Sequence, residues 1–244
     1  MQNMSAILTV MMSAKKKAAR KLIRDYNEIQ YLRSSKKPLE QFVKMAYMRA
    51  EQSVQEELLV VRPNFSILSK ILGHKVGTDS KNRWLINCVT SQENFAYGLP
   101  FFGISIAHEC DGVIVASVLD LMAMGETYYA SKGEGAWVER NTQLANDTLR
   151  LRVCASNGAN NAMVFTDNSE IGKLVGNGRV LGCPATGLAY TAAGKADACV
   201  FNNVHLCDVA AGMLLVREAG GKVSDYQADA NNVIAKIWAG ELAI

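Results

Sequence analysis

Residues 84–107, WLINCVTSQENFAYGLPFFGISIA, constrain this chain more than any other stretch. Trp84 and two apolar residues lead into a polar turn. Asn94-Phe95 follows, then an apolar run through Leu99, Phe101 and Phe102 to Ile106. That order predicts a strand, a tight turn and a packed segment, which is a buried strand-turn unit and not a surface hairpin. Its turn carries Asn87, Thr90, Ser91 and Gln92. All four are neutral polar side chains.

The flanking sequence supplies helices first. Ile7, Val10, Met11, Ala14, Ala18, Leu22 and Ile23 recur at three-to-four spacing and predict a helix over 5–32. A second, charged helix is predicted over 38–60, with Glu51, Gln55, Glu56 and Glu57 on it, ending before Arg62-Pro63. Strand-like runs follow at Ser66–Ile71, Trp84–Val89, Phe101–His108, Gly112–Leu119 and Thr127–Ala130. Lys132-Gly133-Glu134-Gly135 then turns into Ala136-Trp137-Val138. Residues 140–162 read as an irregular crossover between two lobes. Gly187–Gly194 and Asp208–Gly220 read as helices, the second stopped by Gly220-Gly221.

Several classes are excluded at this stage. The content is 49% hydrophobic and 20% charged, that of a globular chain and not of a disordered one. A net charge of +3 carries no direct nucleic-acid signature, and Lys15-Lys16-Lys17 with Arg20-Lys21 reads as the solvated face of a helix. No run reaches the roughly 18–20 apolar residues of a membrane span. The apolar run Ile7–Met12 has its basic residues after it, the reverse of a signal peptide, so the expected location is the cytoplasm. The six cysteines, at 88, 110, 154, 183, 199 and 207, show no paired spacing and read as reduced residues.

Four segments in order resemble the inositol monophosphatase family. Residues 84–107 resemble its first signature, W-I-I-D-P-x-D-G-T-T-N-F. Ala130-x-x-Gly133-x-Gly135-Ala136 resembles its A-x-x-G-x-G-A turn. Arg179-x-x-Gly182-Cys183-x-Ala185, continued to Asp197, resembles R-x-x-G-S-A-A…A-x-G-x-x-D. Cys207-Asp208-Val209-Ala210-Ala211-Gly212, continued by Glu218-Ala219-Gly220-Gly221, resembles the second signature, W-D-x-A-A-G…E-A-G-G. The wording is closest to the bacterial extragenic-suppressor (SuhB) branch. The resemblance implies an α/β fold layered α-β-α-β-α, a single unit over 1–244 with lobes 1–145 and 146–244, and a homodimer. It also implies Mg²⁺-dependent hydrolysis of phosphate monoesters.

The same resemblance locates what has changed. The family's Glu-Glu pair falls on Lys70 and Ile71, its two signature aspartates on Asn87 and Thr90, and its Gly-Thr on Ser91 and Gln92. Its upstream aspartate falls on Tyr47 and its sugar-gripping glutamate on Phe201; Asp208 persists. The family site surrounds its ions with four carboxylates, formally −4. Here Lys70 and Asp208 sum to zero, too little for hard cations that need carboxylate oxygens. The expectation is a family member without Mg²⁺-dependent hydrolysis, Asp208 being the one vestigial metal residue, paired with Lys70. It would need no cofactor and would act by binding a small anion at Ser91-Gln92 or a protein partner in transcription. The alternative is a phosphatase on inositol or sugar monophosphates with an atypical metal site.

Weaker candidates complete the reading. Glu109, Asp111 and Asp120 read as solvated carboxylates. His74, His108 and His205 lack ligand spacing and read as structural. Cys88, Cys183 and Cys207 lie in the signature segments. They are either a thiolate metal or redox site, or small buried side chains filling vacated space.

Overall fold

The first two helices form where the apolar spacing placed them. A computed structural model describes residues 4–33, 39–155, 162–168 and 177–241. Helix α1 spans Ala6–Arg33 and α2 spans Leu39–Val61. The buried stripe of α2 runs Val43, Ala46, Tyr47, Ala50, Glu51, Val54 and Leu58, the spacing of one helical face.

Eight strands form one mixed sheet. They are β1 Ser66–Ser69, β2 Gly73–Lys75, β3 Asn82–Asn87, β4 Ile104–Cys110, β5 Val113–Leu121, β6 Glu126–Ser131, β7 Gly135–Asn141 and β8 Asn146–Arg150. Their spatial order is β2-β1-β3-β4-β5-β6-β7-β8. The period of two sorts their side chains. Trp84, Ile86, Ile104, Ile106, Val118 and Tyr129 pack toward α1 and α2. Leu85, Ala107, Leu119, Tyr128 and Val138 face the opposite core.

A second sheet holds β9 Met163–Thr166, β10 Asn177–Arg179, β11 Ala198–His205, β12 Lys222–Val223 and β13 Val233–Gly240, in the order β10-β9-β11-β13-β12. Between the sheets lie α4 Pro184–Ala192 and α5 Leu206–Glu218, following the short α3 Gln92–Tyr97. Residues 206–216 of α5 are all buried, as a helix covered on every side requires. Gly212 lets the two central helices touch, because a Cβ there would lie 2.5 Å from that of Leu188. The fold is thus a mixed α/β arrangement of helix pair, sheet, helix pair and sheet. A further outer helical layer is not among the described residues.

Four sequence readings are corrected. The strand expected over 66–71 breaks after Ser69 and resumes at Gly73, whose φ of +77° makes the turn. Residues 140–150, read as part of an irregular crossover over 140–162, instead complete a β-hairpin. Arg140 meets Asp147 across the β7–β8 hairpin, at 2.7 and 2.5 Å, and Leu151 N donates to Ala136 O at 2.8 Å. Part of the expected crossover, 156–161, lies outside the described residues. Lys15 is not solvated: it bonds Thr127 Oγ1 at 2.8 Å and pairs with buried Asp120 at 3.3 Å. Nor are Asp120 and Glu109 solvated, since Arg83 grips Glu109 with two bonds of 2.6 and 3.0 Å.

Candidate functional site

Three elements deliver the residues flagged in the sequence to one place. Lys70 leaves the end of β1, its N–H donating to Ile86 O at 3.1 Å. Asn87 closes β3, and Asp208 stands in the first turn of α5. Lys70 Nζ lies 2.6 Å from Asp208 Oδ2. Asn87 Nδ2 donates to Asp208 Oδ1, while Asn87 Oδ1 accepts from Val89 N at 3.0 Å. Both carboxylate oxygens of Asp208 therefore have a donor. The position near the α5 N-terminus adds favourable backbone dipoles.

The remaining turn residues are committed as well. Thr90 Oγ1 accepts from Gly103 N at 3.0 Å and lies 3.3 Å from Cys183 Sγ. Ser91 caps α3, its Oγ accepting from Asn94 N at 3.3 Å, which uses one of the backbone donors an anion would need. Gln92 is half-buried and lines a groove of about 500 Å³ between α2 and α3 with Tyr47 and Tyr97. Tyr47 packs edge-on against Phe95, ring centroids 6.5 Å apart. Phe201 is a core residue against Gly187, whose added Cβ would come within 2.6 Å of its ring. Tyr47 and Phe201 are packing residues, and neither is in the Lys70–Asp208 cluster.

Lys70, Asn87, Thr90 and Asp208 do not fit a Mg²⁺ ion. Such an ion requires near-octahedral oxygen ligands, carboxylates among them. The one carboxylate present already holds an ammonium, and the amide and hydroxyl beside it are occupied by backbone or by Asp208. At that spacing a +2 ion and Lys70 would repel each other.

The cysteines around the cluster are protonated packing groups. Burial pushes Cys88 well above its ordinary value, raises Cys183, and takes Cys207 up to about 12. Cys207 Sγ lies 3.4 Å from Leu68 O. Among the described residues no group of three His, Cys, Asp or Glu side chains could hold a metal ion. His205 has a local role: its Nδ1 caps α5 by accepting from Cys207 N at 3.2 Å, and burial lowers its basicity.

Sequence reasoning missed Glu51. Read as part of a charged helix surface, it is fully buried under the site. Its carboxylate accepts from the Ser69 hydroxyl, from Ile71 N at 3.2 Å, Leu72 N at 3.3 Å and Cys88 N at 3.4 Å. One side chain thereby ties both loops that carry Lys70 and Asn87. The signal was present, because position 51 is one turn beyond Tyr47 on the apolar stripe of α2.

Comparisons with known proteins agree with this architecture. The model of the inositol monophosphatase family matches residues 3–240. The chain is 36% identical over 228 residues to an inositol-1-monophosphatase of Mesorhizobium japonicum, covering 91% of this chain and 86% of the relative. It is 30% identical over 240 residues to the Nus factor SuhB of Escherichia coli, covering 95% and 89%. A crystal structure of extragenic suppressor protein suhB from Bartonella henselae superposes with a TM-score of 0.81 at 33% identity, over 97% of this chain and 94% of that one. No described helix is long and apolar enough to cross a membrane. By sequence and by fold, this chain belongs to the inositol monophosphatase family.

Proposed function

We propose that this chain is a family member that no longer hydrolyses phosphate monoesters through Mg²⁺ and acts by binding. The observation that carries the reading is the Lys70–Asp208 contact of 2.6 Å, with Asn87 on the other carboxylate oxygen. A lysine ammonium supplies the positive charge that an ion would bring, but it is not a Lewis acid and does not acidify a water. In this reading the protein is a cytoplasmic homodimer, and its partner is a protein of the transcription machinery, as the SuhB-named relatives suggest. The test is hydrolysis of inositol 1-phosphate with millimolar Mg²⁺, with the Mesorhizobium relative as positive control. Turnover should stay at the no-enzyme background.

A specific observation favours a second reading. Relatives at 36% and 35% identity are named inositol-1-monophosphatases. An active phosphatase with an atypical metal site would show Mg²⁺-dependent turnover that Asp208→Asn abolishes. That result overturns the non-hydrolytic reading.

A further inference from the structure

A cavity of about 380 Å³ opens on the helical face of the first sheet, where α1 begins. Asp208 and Glu218 lie ten residues apart on α5, so the cavity's turn is about 15 Å from the Lys70 cluster at 1.5 Å of rise per residue. Register explains the cavity. Tyr129 faces Trp137 and Ser131 faces Gly135 across the β6–β7 pair, so all four point to one face. Met4 and Leu8 close it from the α1 side, and Gly135 contributes no side chain to fill it.

Two exposed charged side chains flank the apolar walls of the cavity. Glu218 accepts from Gly133 N and Gly135 N, both at 2.8 Å, which pins the turn presenting Glu134. Among the described residues Glu134 is the one charged residue of the lining, and its carboxylate bonds no described group. The Arg150 guanidinium is outside this lining but adjoins two of its residues: it lies beside Gly135, about 3 Å from where a Cβ would stand, and over the Trp137 ring, 5.7 Å from its centroid, with no carboxylate partner among the described residues. Within the lining, Ser131 Oγ is buried without a hydrogen-bond partner among the described residues. A buried unpartnered hydroxyl is costly, and rotation between staggered χ1 wells re-aims it.

We propose that this cavity binds a small aromatic zwitterion, of the class of a free aromatic amino acid. The ring lies against Tyr129, Trp137 and Leu8. The ammonium is held by Glu134 and Ser131 Oγ, and the carboxylate by Arg150. Aromatic walls with a few convergent polar groups suit such a ligand, and a guanidinium fork suits its carboxylate.

The test is calorimetric titration of the full chain with three probes that share one ring: L-phenylalanine, phenethylamine and 3-phenylpropionate. L-Phenylalanine should bind at least ten-fold more tightly than either single-charge probe. Glu134→Gln should weaken L-phenylalanine and phenethylamine by about ten-fold and leave phenylpropionate unchanged, while Arg150→Met should do the converse. Both positions are exposed, so neither change endangers folding. Ser131→Ala should weaken the two amines by about ten-fold, the worth of one hydrogen bond to a charged group. No saturable binding of L-phenylalanine at low-millimolar concentration overturns the proposal. So does equal binding of all three probes, or binding indifferent to Glu134→Gln and Arg150→Met.

Discussion

Replacing Lys70 by alanine isolates the contact on which the functional reading stands. The Asp208 side chain is 8% exposed and that of Lys70 is 32% exposed. Stranding one partner of a fully buried pair costs about 3–5 kcal/mol, while an exposed pair is worth at most about 1 kcal/mol. Lys70 lies between these limits. Asn87 continues to hold one oxygen of Asp208, and the α5 N-terminus favours the charge, so the expected loss is about 1–3 kcal/mol. For a chain of 244 residues that lowers Tm by about 2–12 °C at roughly 2–4 °C per kcal/mol. Thermal unfolding by circular dichroism measures it, with Lys70→Met as the control that keeps the apolar stem. If the loss is electrostatic, Met is nearly as harmful as Ala, and adding Asp208→Asn to either variant restores most of the stability. A double-mutant cycle reads the coupling directly. Wild type should gain no Tm from added Mg²⁺, because an ion that binds only the native state would raise it. A coupling energy near zero, or a Mg²⁺-dependent rise in the wild type, refutes the reasoning.

Four further outcomes are expected. Glu51→Ala takes the acceptor from the Ser69 hydroxyl, Ile71 N and Cys88 N, while Leu72 N keeps Ser69 Oγ, and should cost about 3–5 kcal/mol by denaturant unfolding. Burial raises the Glu51 pKa above that of an unfolded glutamate, its hydrogen bonds opposing the shift only in part. The folded state then binds the extra proton, so the Glu51 contribution is largest below the unfolded value and declines as pH rises through the raised one. Glu51→Gln should flatten that part of the stability–pH curve, and an unchanged slope counts against the assignment. Gly212→Ala should cost about 1–3 kcal/mol through overpacking on Leu188, visible as a lower urea midpoint. Iodoacetamide at neutral pH should label Cys110 and Cys154 first by peptide mass mapping, since Cys88, Cys183, Cys199 and Cys207 are buried. Early modification of Cys207 would contradict the packing described.

What the sequence reveals and conceals follows from the range of each interaction. Helices α1 and α2 and strands β3 to β7 of the first sheet carry their apolar pattern along most of their length, so local pattern sufficed. The second sheet escaped because its strands are short continuous runs such as Ala198-Cys199-Val200-Phe201, which lack alternation. The candidate site was legible through the four motif segments and not through periodicity. Lys70 and Asp208 are 138 residues apart, and only a known architecture could bring them together before the structure did. Glu51 and Asp120 were misread for the opposite reason. Composition says that charged residues are solvated, and nothing in composition shows the Ser69 hydroxyl or the Lys15 ammonium that receives each of them.

The substitutions at the site form one electrostatic solution and not a scatter of losses. Removing the ions from a four-carboxylate cluster while keeping the carboxylates would leave like charges packed together in a dry core. Asn87 and Thr90 are uncharged, and each side chain is hydrogen-bonded locally, Asn87 with Val89 N and Thr90 with Gly103 N. Asp208 alone then needs a counter-charge, and Lys70 brings it from the position nearest to water, where the ammonium retains part of its hydration. Glu51 keeps the two loops in register beneath the pair. Lys70→Glu, which sets a second carboxylate against Asp208, should therefore destabilise the fold without creating an ion site.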